Sequence, residues 1–221
     1  EFDVKDFFDN KSDFVIGLDK FLEYSSGSRG EPAQILFEGD ITNPEFFKKF
    51  HEFKTILSEV EFIGLNEKGD VNQEGILNPI KVSKLIFDNP KLKEKIETTQ
   101  NIKITDANND QIPDSNIQIE EILKYGFKNG LSEENKFSYD ARWFQRYFWF
   151  NEETNDDFTT VFLVLLSESE SEDDVEQVRK DIKKTIEEVN FSENIKIGIT
   201  GSPFSRNDQL NASTDAMRRS I

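Results

Sequence analysis

The chain has 221 residues, room for one large domain or two small ones. Lys and Arg number 27 against 44 Asp and Glu, giving a formal charge of −17 and a pI near 4.5. That acidity argues against a nucleic-acid partner and against docking on anionic lipid through a basic face.

Hydrophobic residues make up 35% and charged residues 32%, a balance that raises the question of disorder. The 21 phenylalanines, many at regular spacings, exclude disorder for most of the chain. With no Cys there is no disulfide, thiolate-bound metal or thiol nucleophile, and with His51 the one histidine there is no multi-His centre. The longest uninterrupted apolar run is the six residues Val161 to Leu166. A membrane span needs roughly 20. The chain opens on Glu1 rather than Met and stops at Arg218-Arg219-Ser220-Ile221, and it is expected to be a piece of something longer.

In chain order, Ser12 to Tyr24 reads as a helix with Phe14, Leu18, Phe21 and Leu22 on one face. Turn formers follow at Ser25 to Gly30. Ala33 to Gly39 reads as a short strand. Asn43 or Thr42 then caps a helix with Pro44 at its first position and Glu45 at the positive end of its dipole. Phe46, Phe47, Phe50, Phe53, Leu57 and Val60 form its apolar stripe. A second strand is expected at Glu61 to Leu65.

The middle, Asn78 to Phe150, reads as mostly helical: Ile80 to Phe87, Lys91 to Ile96, and a face of Ile117, Ile119, Ile122, Leu123 and Phe127. Tyr139 to Phe150 is dense in aromatics, and its second half fits helix and strand alike. Phe158 to Ser167 reads as a buried strand. Ser171 caps a helix carrying Val175, Val178, Ile182, Ile186 and Val189. Ile195, Ile197 and Ile199 alternate with polar or small residues, a strand with one buried face, and Asp208 to Ile221 reads as a final polar helix.

Strand–helix–strand therefore occurs twice, at Ala33–Leu65 and Phe158–Thr200. Two such units side by side predict an α+β, ferredoxin-like split β-α-β sandwich with a largely helical insertion between the halves. The expected divisions are 1–30 (helix and linker), 31–75 (first half), 76–157 (insertion), 158–203 (second half) and 204–221 (final helix).

Enzyme signatures are missing: no phosphate-binding loop, no nucleophile elbow, no His-Glu-x-x-His. His51 reads as a helix-surface histidine, since nothing points to catalytic partners for it. One local pattern is more specific. Asp106, Asn108, Asp110 and Asp114 stand at relative positions 1, 3, 5 and 9, and Ile112 at position 7 offers a backbone carbonyl. That is calcium-loop spacing, because alternate residues of a tight loop point inward and calcium takes hard oxygens. Gln111 stands where the turn wants Gly, and Ile117 where a bidentate Glu belongs. An Asx-turn loop leading into a helix capped by Ser115 fits the same residues. In the aromatic block, Trp143, Phe144, Tyr147 and Trp149 are candidate contacts to a lipid or other hydrophobic substrate; core packing is the other reading. Asn10, Asn190 and Asn211 lie in Asn-x-Ser sequons at about the frequency chance allows.

Glu31 to Glu45 (EPAQILFEGDITNPE) resembles the segment after the first membrane helix of resistance–nodulation–division (RND) exporters, closest to their MmpL/Patched-like branch. Asp3 to Phe14 is similar to that family's acidic start. Asp110 to Ser115 resembles its Pro-Asp step before a helix, with Gln111 for the usual Gly, and Ile199 to Pro203 resembles the close of its soluble loop. The resemblance implies a porter-like domain on the extracytoplasmic side of the cell membrane, between the first two membrane helices of a gradient-driven exporter. It also implies hydrophobic or lipid-like substrates. The partners would be membrane helices of the same polypeptide and further copies of the full-length transporter. The family's charge-relay residues lie in membrane helices, so this stretch would neither transport nor catalyse alone. The alternative is a stand-alone acidic binding or adaptor module, calcium-dependent. A hydrolase built on the acidic residues is disfavoured, because no nucleophile–base pair is visible.

Overall fold

The dipeptide Asn-Pro starts three helices. Asn43, Asn78 and Asn89 each sit in extended backbone with the side chain accepting an amide of the first turn, and Pro44, Pro79 and Pro90 follow at the first helical position. Asn satisfies an amide the helix cannot, while Pro lacks the N–H that would otherwise go unpaired. The computed structural model describes residues 32–65, 69, 71, 76–131, 140–150, 158–166, 172–201 and 203–204. The helices expected at Ser12–Tyr24 and Asp208–Ile221, and the Ser171 cap, lie outside them.

The helices are α1 (Pro44–Leu57), α2 (Pro79–Phe87), α3 (Pro90–Gln100), α4 (Asn116–Asn129), α5 (Ala141–Phe144) and α6 (Glu172–Val189). The strands are β1 (Pro32–Gly39), β2 (Phe148–Phe150), β3 (Phe158–Leu165) and β4 (Ile195–Gly201). They form one antiparallel sheet in the order β2-β3-β1-β4. The class is α+β, with helices against one face of the sheet.

Period-two alternation sorts the strands. Ala33, Ile35 and Phe37 of β1 and Phe158, Thr160, Phe162 and Val164 of β3 are buried. Phe37 is the hub. Its ring centroid lies 5.6, 5.5 and 5.8 Å from those of Phe46, Phe50 and Phe53 on α1, and 5.3 Å from Phe191 after α6. Phe50 also meets Phe162 at 5.1 Å, edge to face. Helix α6 packs beside α1, and Lys49 of α1 donates to the Val189 carbonyl at the end of α6, 2.8 Å away. Contacts pass along from α1 to α2, α3, α4 and α5, and α4 also touches β2.

The strand expected at Glu61 to Leu65 does not form. Phe62 takes φ 63°, a left-handed backbone that no strand accommodates. What is left is one bridge, Ile63 to Leu166, with the Gly64 amide 2.7 Å from the Leu165 carbonyl. The start of that edge of β3 is held by β2, whose Phe148 pairs with Thr160 and Phe150 with Phe158. Both stubs run antiparallel to β3, the first at its end and the second at its start. Helices α2 to α5 lie between the two stubs in the chain. In the undecided half of the aromatic block, Phe148 to Phe150 is thereby a strand and Gln145 to Tyr147 a turn.

Phe37→Ala is expected to lower stability by about 3–5 kcal/mol, the cost of an emptied buried aromatic site. Gln34→Ala on the exposed face of the same strand should stay within roughly 0.5 kcal/mol. Urea denaturation of both variants checks this.

Candidate functional site

Two regions bring the sequence-predicted residues together. The first is the loop between α3 and α4. The Asp106 carboxylate accepts the amides of Asp110 and Gln111 at 3.0 and 2.9 Å. Asn108 accepts the Asp110 amide at 3.3 Å and donates to the Asp110 carboxylate at 2.8 Å, which in turn takes the Ile112 amide at 2.9 Å. Asp114 receives the Ala107 amide at 3.0 Å. Asn109 and Gln111 both take left-handed backbone, φ 60° and 61°, so the sharp turn forms without glycine. The Ile112 side chain is buried and anchors the loop.

Gln118 of α4 clamps the base of the loop. Its carbonyl oxygen accepts the amides of Thr105 and Asp114, and its amide donates to the Thr105 hydroxyl at 3.0 Å. Ser115 caps α4 as expected. The oxygens of this loop converge on its own amides. Among the described residues, no group of three or more His, Cys, Asp or Glu side chains is gathered to hold a metal ion.

The Thr105 hydroxyl, and then the Ala107 amide, hold the Asp114 carboxyl below its ordinary pKa of 3.8. Hydrogen bonds donated to a carboxylate favour its charged form. A depressed folded pKa gives stability that is present above the ordinary value and lost as pH falls through the folded one. Asp114→Asn should therefore melt below the parent at neutral pH, with the gap closing once pH falls below 3.8. Melting curves of the pair across that range test the sign. Calcium at about 10 mM, roughly ten times the weakest range for extracellular calcium modules, is expected to leave the melting temperature unchanged. A rise that Asp110→Asn abolishes would make the loop a calcium site.

The second region is the aromatic block. Asp140 caps α5 by accepting the Trp143 amide at 2.8 Å. Phe144 is fully buried and stacks on Phe148 with centroids 4.7 Å apart. It fits because α4 carries Gly126 beneath it, where a Cβ would lie 2.5 Å from the Phe144 ring. Tyr147 is buried too, and its carbonyl takes the Thr160 hydroxyl at 3.0 Å and the Val161 amide at 2.9 Å. Trp143 is half-buried, with the Arg146 guanidinium 4.6 Å over its ring. Alternation in β2 turns Phe148 and Phe150 inward and leaves Trp149 53% exposed. Of the four candidate contacts, Phe144 and Tyr147 thus belong to the core, and the two tryptophans reach the surface. His51 is exposed on α1.

Trp149 lies on the sheet face turned away from the helices. Pairing registers place Leu36 and Val161 directly opposite each other there, with Gly198 on the other side of Leu36 and Thr159 beside Trp149. Val161, Leu36 and Gly198 thus form an uncharged row across β3, β1 and β4, while the neighbouring row runs from Trp149 through Thr159 to Glu38 and Lys196. Leu36 and Val161 were not marked as candidates from sequence. The available signal was that β1 and β3 carry apolar residues on both faces.

No family model, curated protein or solved structure matches this chain.

Proposed function

We propose that the chain is an extracytoplasmic, porter-like domain of an RND-type exporter handling hydrophobic or lipid-like substrates. The observation that carries this reading is where the sheet takes in and releases the chain. β1 starts and β4 finishes side by side, Ala33 opposite Gly201, so the chain enters β1 and leaves β4 at the same end of the sheet. A domain looped out between two membrane helices needs that geometry. Among the described residues no helix is long and apolar enough to cross a membrane, so the spans of this reading lie in the flanking sequence.

A ferredoxin-like arrangement is the finer reading of the fold. The antiparallel order β2-β3-β1-β4, with α1 after β1 and α6 after β3, supports it, and the insertion then interrupts the second strand. The uncharged row of Val161, Leu36 and Gly198, with Trp149 diagonal to Val161, is the surface that suits an apolar ligand.

The test is the reading frame around the chain. Roughly 20 apolar residues are expected to abut each end, with about a dozen such spans in all. A frame that starts and stops near Glu1 and Ile221 overturns the proposal.

A further inference from the structure

Among the described residues no strand pairs with the outer edge of β4, and the hydrogen-bonding parity of the sheet says which groups it offers. The Val161 amide bonds the Tyr147 carbonyl, and the Leu165 carbonyl takes the Gly64 amide. Odd-numbered residues of β3 therefore point their backbone groups toward the β2 edge, and even-numbered ones toward β1. Through the registers, Ala33, Ile35, Phe37 and Gly39 bond β3, while Gln34, Leu36 and Glu38 bond β4. In β4, Lys196, Gly198 and Thr200 are thus turned to β1. Ile197 and Ile199 present both amide and carbonyl outward, and among the described residues nothing pairs with those groups. Ile195 has already given its amide to the Ser192 carbonyl at 2.9 Å.

We infer that this edge pairs with β4 of a second copy, antiparallel, about a two-fold axis at Gly198. The sequence of the strand selects that register. Ile197 of one copy falls opposite Ile199 of the other, each pair exchanging both of its bonds, and their half-buried side chains extend the core across the join. Lys196 falls opposite Thr200, and Gly198 opposite Gly198, so no like charges meet. β4 holds no acidic residue in a chain of charge −17, and its one lysine pairs within its own copy, 3.4 Å from Glu38. Edge strands that must stay single are blunted by proline, bulges or several charges; here Lys196 is the only such device. This inference does not depend on the transporter reading.

Sedimentation equilibrium of the 221-residue chain, over about 10 µM to 1 mM, tests it. A monomer–dimer equilibrium is expected. It should tighten when salt is raised to roughly 0.3 M, because salt screens the repulsion between two acidic molecules. Ile199→Pro removes an outward amide and leaves the β1 ladder intact, and should weaken the dimer by at least about tenfold. Gly198→Lys sets like charges face to face across the axis. Its Cβ meets nothing closer than the Leu36 Cβ at 3.8 Å, so the fold tolerates it. It also makes each copy less acidic, so any weakening comes from the contact itself. Circular dichroism confirms folding, and if Ile199→Pro does not fold, Gly198→Lys alone decides. A chain that stays monomeric at both salt levels overturns the inference. So does a dimer that neither substitution weakens, which would place the contact on another surface such as the Trp149 face.

Discussion

β1 is the strand on which the rest of the molecule depends. It is hydrogen-bonded along both edges, to β3 over eight residue pairs and to β4 over seven. On its buried face Phe37 stands where the aromatic rows of α1 and the turn after α6 meet. α1 and the turn after α6 are thereby seated on one side chain, and the backbone closes around it as tightly. At Gly39 a Cβ would fall 2.1 Å from the Asn194 carbonyl, at a φ of +123°. Only glycine permits that approach, so the end of β1 and the start of β4 can lie as close as they do.

The parts legible in the sequence are those whose cause is local. Asn43-Pro44 and Asn89-Pro90 announce helix starts, because capping and the missing amide act within one turn. β1, β3 and β4 were legible from their run or alternation of apolar residues. The helical middle was legible from periodicity. The edge strand was not. Glu61 to Leu65 has strand composition, yet Phe62 turns left-handed, and Phe148-Trp149-Phe150 forms the strand instead. Three aromatics in a row favour neither period, and β3, far along the chain, chooses between the two segments.

The same division holds at the candidate sites. The alternating oxygens of Asp106 to Asp114 were legible as a loop, and the structure ties them to the loop's own amides. What spacing does not reveal is where the free side of each oxygen points. Phe144 and Tyr147 were indistinguishable from Trp143 and Trp149 in the sequence. Gly126, eighteen residues before Phe144, opens the space that draws that ring inward, a pairing made only when α4 packs on α5.

Charge then distinguishes the surfaces that remain. An acidic surface keeps molecules apart and in solution, and net charge speaks to association rather than to fold. On α6 the exposed Asp173, Glu187 and Glu188 contribute to that field. Among the described residues the charged side chains of the open sheet face are Glu38 and Lys196, which lie 3.4 Å apart, and β4 carries no acid. Apolar or backbone groups on a strongly charged molecule meet least repulsion where charge is missing. An uncharged ligand and a second copy of β4, bound as proposed, would both use this one sheet, by its face in the first case and its edge in the second. The two proposed surfaces share β4, and Gly198 belongs to both: it stands opposite Leu36 on the face and at the centre of the edge.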